Sequence, residues 1–397
     1  MGLTAVGAPD WRRNLAAVTV ATFIGFTGFT LVMPFLPLYF EQLGVSDPGS
    51  IAVWSGLSLG VTPAVTALMA PLWARVAERY GRKLMVARSL LSFVVIMAAM
   101  ALVTAPWQVL ALRAVQGFFA GYGMLALTMA AESAPTAQMA TAIGWVQTAQ
   151  RLGPALGPAI GGGLAQAVGL RMAFVAAAGL FLGALILVLV GYREDRQRTP
   201  GAPVDVGPRV TLKTLLTVPN FGLFLAMIFG LQMVDRSFGP VLSLYLLETG
   251  TPLSRVPIVA GLIFTTAAGA AAGGNQICGW LMRHGGPRRL VAWSASLAAV
   301  GALVFSLGPS PAMILAAAAL FGLGIGVAFT TVYTVAGQRV PDRSRGVAFG
   351  FLTTASLSGL ALSPVVSGLL GAVTMRGVFV ADALGLLAIA WSVRRMT

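Results

Sequence analysis

The chain alternates between long apolar runs and short polar connections over its whole length. Runs such as 16–33, 90–104 and 172–190 lack the alternation of apolar and polar positions that barrel strands need, so they favour helices. A helix crosses about 30 Å of hydrocarbon with roughly 20 residues. The pattern therefore predicts an all-α membrane protein with twelve spans. The predicted spans are 14–41, 52–72, 84–104, 107–131, 141–165, 171–191, 217–247, 257–281, 290–307, 311–336, 347–371 and 376–393.

The composition agrees with a membrane location. Hydrophobic residues make up 57% of the 397 residues and charged residues 10%, with a mean hydropathy of +0.86. Soluble domains carry roughly 25% charged residues, so lipid has to be the main solvent of this chain. The apolar run after Arg12 and Arg13 continues to about residue 40, which is too long for the core of a cleavable signal peptide.

The charge and the cysteine count exclude several kinds of partner. A net charge of +14 could indicate nucleic acid, but the basic residues are scattered between apolar segments instead of forming one basic domain. We therefore predict no nucleic-acid partner. Cys278 is the only cysteine, which excludes an internal disulfide and a cysteine-based metal site. The sequence predicts neither a metal nor a cofactor.

The distribution of arginine and lysine over the connections predicts the orientation. One set of connections carries most of these residues, whereas the opposite set carries only Arg171, Arg255 and Arg376. Connections rich in arginine and lysine stay on the cytoplasmic side of the membrane. The chain is therefore expected in the cell membrane with both termini in the cytoplasm, which requires an even number of spans.

The chain repeats itself at an offset of 206 residues. Pro34 and Tyr39 correspond at this offset to Pro240 and Tyr245, and glycines and prolines of the later spans follow the same offset. One offset that holds through both halves predicts two six-helix bundles related by a pseudo-two-fold axis along the membrane normal. The predicted domains are an N-terminal bundle at 1–192, a cytoplasmic linker at 193–215 and a C-terminal bundle at 216–397.

A family resemblance arises at the connection between the second and third spans, PLWARVAERYGRKLMVARSL. This segment resembles the signature loop of the major facilitator superfamily, Gly-x-x-x-Asp-Arg-x-Gly-Arg-Lys. Alanine replaces its first glycine and glutamate replaces its aspartate. The resemblance implies a latch between the two halves on the cytoplasmic side, and the same charges also set the topology. The matching residues are Ala74, Glu78, Arg79, Gly81, Arg82 and Lys83.

The fourth span contains LRAVQGFFAG, which resembles the Arg-x-x-Gln-Gly motif of the same superfamily. The matching residues are Arg113, Gln116 and Gly117. An arginine about 9 Å inside a helix is costly unless it is paired or hydrated. The alternative is that the Arg113 side chain reaches the outer surface.

The fifth span reads RLGPALGPAIGG and resembles the antiporter motif Gly-x-x-x-Gly-Pro-x-x-Gly-Gly. The matching residues are Gly153, Gly157, Pro158, Gly161 and Gly162. Glycines at this spacing form a flat helix face, and ordinary close packing of small residues is the alternative explanation. The motif implies export. Together with LVMPFLPLYFEQLGV in the first span, it makes the chain similar to the bacterial twelve-helix drug:proton antiporters.

Charged residues inside spans are functional candidates by default. Asp235 is the candidate proton carrier, with Arg113 and Arg151 as possible partners. Arg236 follows Asp235 directly, and neighbours on a helix point about 100° apart, so these two side chains are not expected to meet. A static ion pair between helices is the alternative role for Asp235. Glu132 and Asp382 lie near span ends and are expected to be solvated.

A substrate cavity is expected at the midplane between the halves. Methionine and aromatic side chains suit apolar ligands of varied shape, and a glutamine adds a polar contact. Ordinary helix packing is the alternative role for each of these residues. The candidate lining residues are Phe26, Phe29, Met33, Gln147, Gln232, Met233 and Phe238.

These features predict a monomeric secondary transporter in contact with membrane lipid, which exports lipophilic or amphipathic small molecules in exchange for protons. Two alternatives stay open, a proton-coupled carrier of a defined metabolite (a sugar, organic acid or siderophore) and a translocator of lipids or lysolipids. Sodium could replace protons. The sequence has no Gly-x-x-x-x-Gly-Lys-Ser/Thr motif and no nucleophile motif, which argues against an ATP-driven pump and an enzyme.

Overall fold

The computed structural model describes residues 11–135, 139–193, 212–307, 310–340 and 345–395. Within these ranges the chain forms α-helices joined by short turns, and no strand is present. The helices are α1 Trp11–Leu31, α2 Leu36–Gln42, α3 Pro48–Tyr80, α4 Arg82–Met100, α5 Pro106–Phe119, α6 Tyr122–Ser133, α7 Met139–Val168, α8 Leu170–Gly191, α9 Leu212–Leu216, α10 Phe221–Asp235, α11 Leu242–Glu248, α12 Val256–His284, α13 Pro287–Leu307, α14 Pro311–Arg339, α15 Arg345–Val373 and α16 Met375–Ser392.

The helices correspond to the twelve predicted spans. In the described part of the chain, nine helical segments are long and apolar enough to cross a membrane. The other three spans are α5 with α6, α7, and α10 with α11. The fourth span is interrupted at Gly121, whose φ of +119° is strained for a residue with a side chain.

The first and seventh spans are broken rather than continuous. A single 3₁₀ turn, Met33–Phe35, separates α1 from α2, and turn residues separate α10 from α11. Pro34 and Pro240 lie in these breaks and have no backbone N–H to donate to the preceding turn. The second span differs in length: α3 continues to Tyr80, beyond the predicted end at residue 72, and stops at Gly81 with φ +91°.

The sequence repeat is also a repeat of contacts. A Cβ atom placed on Gly153 would lie 2.8 Å from Phe23 O, and one on Gly359 would lie 2.7 Å from Phe229 O, which is the same contact at the 206-residue offset. The rings of Tyr39 and Phe174 are 4.8 Å apart, as are those of Tyr245 and Phe379. Phe174 and Phe379 are 205 residues apart, one fewer than the repeat, and each half thus uses the same residue types to hold its first, fifth and sixth spans together.

The two tyrosines give a test of this equivalence. Tyr39 donates its hydroxyl hydrogen to Met100 O at 2.5 Å, and Tyr245 donates to Phe305 O, both in buried surroundings. Tyr39→Phe and Tyr245→Phe are each expected to lower the free energy of unfolding by about 1 kcal/mol. Thermal unfolding of the detergent-solubilised protein measures both. The exposed Tyr80→Phe is the control with no expected change, and a clearly unequal loss in the two halves would contradict the equivalence.

Helices α1 to α8 pack mainly on one another, and so do α10 to α16. The predicted linker at 193–215 falls mostly on residues 194–211, which lie outside the described residues. The domain limits at 192 and 216 stay a prediction.

Candidate functional site

The two halves meet where α3 packs against α15. A Cβ atom on Gly60 would lie 2.5 Å from Ala361 O, and one on Gly368 would lie 2.5 Å from Ala52 O. A Cβ atom on Gly56 would overlap Pro364 O. The glycines therefore let the two helix backbones touch, and any larger residue at these positions would push the halves apart.

A second contact between the halves joins α7 to α12 and is reciprocal. A Cβ atom on Gly162 would overlap Pro257 O, and one on Gly261 would overlap Pro158 O. Ala159 N–H, next to Pro158 in α7, donates to Thr265 Oγ1 of α12 at 3.1 Å. The backbones of the two halves are thus in direct contact at this point.

All these contacts lie toward one end of the helices. We call the other end the basic face; it carries Arg82, Lys83, Arg283 and Arg288. Gln147 and Arg151 precede Pro158 by 11 and 7 residues and so continue its stripe along α7 toward the basic face, where both are exposed. We interpret this arrangement as a cleft between the halves, closed at the far face and open at the basic face.

The antiporter-type motif of α7 has two faces. Gly153, Gly157 and Gly161 lie against the backbone of α1, with a Cβ atom on Gly157 expected 2.7 Å from Thr27 O. Gly162, with Pro158, lies against α12 instead. The first face holds the N-terminal half together, and the second closes the far face of the cleft.

The signature loop makes its described contacts inside the N-terminal half. Arg82 forms an ion pair with Glu132 of α6, and Lys83 Nζ donates to Leu189 O at 2.8 Å and Tyr192 O at 2.6 Å. Glu132 is exposed, as expected, but it is also paired. The expected latch partners Ala74 and Glu78 have side chains outside the described set, whereas Arg79 stacks on the neighbouring Tyr80 ring. An open cleft at this face agrees with these contacts.

Arg113 is buried and does not reach the outer surface, with 1% of its area exposed. Its Nη1 donates to Gln116 Oε1 at 3.1 Å, and its carbonyl accepts from Thr62 Oγ1 at 2.9 Å. Its Nε and Nη2 atoms have no hydrogen-bond partner among the described residues. Gly117, one turn later, allows the close approach of α3, since a Cβ atom there would lie 2.5 Å from Thr62 O.

Asp235 and Arg236 form an ion pair, which corrects the expectation that their side chains diverge. Arg236 Nε lies 3.0 Å from Asp235 Oδ2. The helical angle of about 100° does not apply because α10 ends at Asp235, and Arg236 has φ −110° and ψ 0°. In the described chain neither Arg113 nor Arg151 pairs with Asp235.

Asp382 is buried, which overturns the expectation that it is solvated. Only 7% of its area is exposed, and its Oδ2 lies 2.5 Å from Ser237 Oγ. Asp382 is two turns inside α16, and the break between α10 and α11 folds Ser237 against it. The position of Asp382 near the end of its span therefore did not make its side chain exposed.

The seven candidate lining residues fall into two groups. Gln147 is exposed, and half-buried side chains occur at Phe26, Phe29, Met33 and Met233. The other two do not face the cleft in this conformation. Phe238 packs against the rings of Phe305, Phe321 and Phe379, and Gln232 accepts a hydrogen bond from Ser356 Oγ at 3.0 Å inside the C-terminal half.

A family model described as Major Facilitator Superfamily matches residues 18–284 and 224–396. The chain belongs to the Major Facilitator Superfamily. The resemblance carried by the sequence motifs is confirmed, and so is the twelve-helix fold in two related halves.

Two bacterial relatives and one solved structure illustrate the similarity. The chain is 29% identical over 390 residues to a protein named multi-drug resistance efflux pump PmrA homolog of Lactococcus lactis, with 96% of this chain and 95% of that protein covered. It is 30% identical over 381 residues to multidrug resistance protein MdtG of Serratia proteamaculans, with 94% and 91% covered. A bacterial homolog of the human lysosomal transporter Spinster, in an inward-facing and occupied conformation, has a TM-score of 0.82, 18% identity and 98% coverage of both chains. This last likeness shows the fold alone.

Sequence reasoning missed several residues of this facilitator that the structure brings to the interface. Gly56, Gly60 and Gly261 close the far face. Two hydrogen bonds also cross between the halves there: Thr265 accepts from Ala159 N–H, and Ser243 donates to Pro34 O. The Gly-x-x-x-Gly spacing of Gly56 and Gly60 was the available signal for close helix contact. The two hydroxyls carried no such signal.

Proposed function

We propose that this facilitator is an antiporter that exports lipophilic or amphipathic small molecules in exchange for protons. The observation that carries the proposal is the set of glycine contacts that joins the halves at the far face, beside an exposed stripe of α7 nearer the basic face. The relatives named for multidrug resistance support export of drugs. In the proposed orientation the basic face and both termini are cytoplasmic, and the protein acts as a monomer in the cell membrane.

The substrate enters the cleft from the cytoplasm and lies against its weakly polar walls. Phe29, Met33 and Met233 supply adaptable apolar surface, and Gln147 and Arg151 supply polar contacts nearer the opening. Defined metabolites such as sugars need several convergent polar groups. The described walls offer few, which favours lipophilic substrates over the metabolite alternative.

The proton site is Asp235. At the 206-residue offset it corresponds to Phe29, and 25% of its side chain is exposed beside Arg236. Arg236 Nε lies 3.0 Å from Asp235 Oδ2 and forms an ion pair with it. Rocking of the halves that separates this pair favours uptake of a proton by the carboxylate, with Arg113 and Arg151 as the cations that can replace Arg236. Substrate release and proton uptake then alternate at the same cleft.

The test is proton movement in liposomes with an imposed pH gradient. Tetraphenylphosphonium, a neutral lipophilic drug, a sugar and a lysolipid are added in turn to the wild type and to Asp235→Asn. We expect the lipophilic compounds to move protons through the wild type and not through Asp235→Asn, because the amide cannot carry a proton. Glu248→Gln, at an exposed acid that ends α11, is the matched control and is expected to behave as wild type. Proton movement with the sugar or the lysolipid alone would refute drug export.

A further inference from the structure

The C-terminal half has a pocket at the basic face, between the start of α13 and the end of α14. Its volume is about 360 Å³, and it is lined by Gly286, Pro287, Arg288, Arg289, Val335 and Arg339. A water molecule takes up roughly 30 Å³ in the liquid, so the pocket has room for a group much larger than one water. Three of these lining residues are arginines, which makes an anion the expected occupant.

The N-terminal half neutralises the equivalent place with a carboxylate. Arg82 of the signature loop forms an ion pair with Glu132 of α6. At the 206-residue offset these two residues correspond to Arg288 and Gln338, so the C-terminal half keeps the cation and replaces the acid by a neutral amide. It also adds Arg339, whose counterpart in the N-terminal half is a serine. The pocket is therefore a basic feature of the C-terminal half alone.

The acids of the C-terminal half do not neutralise the pocket within the described residues. This half has four acids, and three of them lie elsewhere. Asp235 is in an ion pair, Glu248 ends α11 at the far face, and Asp382 is buried in α16. The fourth, Asp342, is outside the described residues.

The arginines of the pocket fit a phosphate group. Arg288 and Arg289 are exposed and take part in no ion pair within the described chain. Arg339 is half-buried in the pocket wall, with its Cζ 6.0 Å from the centre of the Phe224 ring. Like charges around one pocket repel each other, and a bound anion offsets that repulsion. A guanidinium group can donate two parallel hydrogen bonds to a phosphate, which makes phosphate a well-matched anion.

The pocket lies at the level where membrane lipids have their headgroups. Trp280, Trp293 and Trp391 lie within two helix turns of the basic face and are 55%, 76% and 55% exposed. Tryptophan is enriched at the boundary between headgroups and hydrocarbon. Trp293 follows Arg289 by four residues on the same face of α13, so Arg289 lies about 6 Å from it along the axis, on the headgroup side. At the 206-residue offset the N-terminal half has alanine or leucine in place of all three tryptophans.

We propose that this pocket binds the phosphate group of an anionic phospholipid from the leaflet at the basic face. Arg288, Arg289 and Arg339 hold the phosphate. The acyl chains extend past Trp293 and Val300, which are exposed on the same side of α13. A free phosphate ion offers the same chemistry to the arginines, but the exposed tryptophan one turn below them favours a lipid. The site lies apart from the cleft and depends on neither drug export nor proton exchange.

Lipid binding to the purified protein in a neutral detergent tests the site, with phosphatidylglycerol that carries a fluorescent acyl chain as the probe. We expect Arg288→Gln combined with Arg289→Gln to weaken binding about 25-fold, because each arginine near an anionic headgroup contributes about fivefold. Arg255→Gln combined with Arg376→Gln removes two exposed arginines of the same half at the far face and is expected to bind as the wild type does. Equal binding by the wild type and the variant at 288 and 289 would overturn the proposal, and so would an equal loss in the control variant.

Two further measurements separate a lipid from a free phosphate. Trp293→Ala is expected to bind phosphatidylglycerol more weakly, because the ring borders the acyl chains, and inorganic phosphate is expected to compete only at far higher concentration than the lipid. Inorganic phosphate that displaces phosphatidylglycerol at equal concentration, or Trp293→Ala that binds the lipid like the wild type, would overturn the assignment to a lipid. Thermal unfolding without lipid is expected to be unchanged in every variant, because all the substituted positions are exposed.

Discussion

Gly162→Val is expected to reduce transport strongly while the protein still folds and inserts. A Cβ atom at Gly162 would overlap Pro257 O of the other half and lie 3.0 Å from Ile258 Cα. Overpacking of this kind costs about 1–3 kcal/mol. The cost falls only on the conformation in which the far face is closed. Because a tenfold population change corresponds to about 1.4 kcal/mol, the closed state loses roughly 5- to 150-fold in population.

Alternating access requires both conformations, so the variant accumulates with its far face open. Efflux of tetraphenylphosphonium from inverted vesicles measures the loss, and labelling of cysteines placed beside Gly261 measures the opening. Gly163→Val is a close control, because a Cβ atom at Gly163 has nothing within 4 Å. Both substitutions replace glycine by the same residue in the same helix turn. Equal activity of the two variants would show that the contact between α7 and α12 is not a gate.

Much of the fold was predictable because lipid imposes simple rules on sequence. The apolar runs gave the spans, and the 206-residue offset gave the repeat that the contacts of Tyr39 and Tyr245 confirm. The motif glycines were also informative. Their division into one face toward α1 and another toward α12 was not predictable, because it depends on where two helices cross.

The errors arose where the chain departs from regular helix. The prediction that Asp235 and Arg236 diverge assumed a helix that continues through both residues, whereas α10 ends at Asp235. Phe238 follows in the same break, and the turn directs it into the aromatic core instead of the cleft. The prediction that Asp382 is solvated was wrong for another reason. Its carboxyl group contacts Ser237, which is 145 residues away in the sequence and reaches Asp382 only because of the same break. Tertiary contacts of this length have no local signal.

Arg113 presents a conflict between stability and function. Its side chain on α5 is fully buried, and in the described residues its one hydrogen-bond partner is Gln116. Burying a cation without a carboxylate costs several kcal/mol, which one neutral hydrogen bond does not offset. A residue this costly is explained if an anion or a moving carboxylate contacts it in another conformation.

Replacing the pair by apolar residues should therefore stabilise the protein and inactivate it. For Arg113→Met combined with Gln116→Leu, we expect the free energy of unfolding to rise by about 1–3 kcal/mol, because both buried polar groups are removed together and the chain volume is kept. Proton-coupled efflux is expected to fall to the level of empty liposomes. Thermal unfolding in detergent and the liposome assay measure the two effects, with the exposed Arg255→Met as the control for loss of one positive charge. A double variant that is less stable than the wild type, or one that is stable and still transports, would show that Arg113 is a structural residue. Only a functional cation explains a variant whose stability rises while its transport is lost.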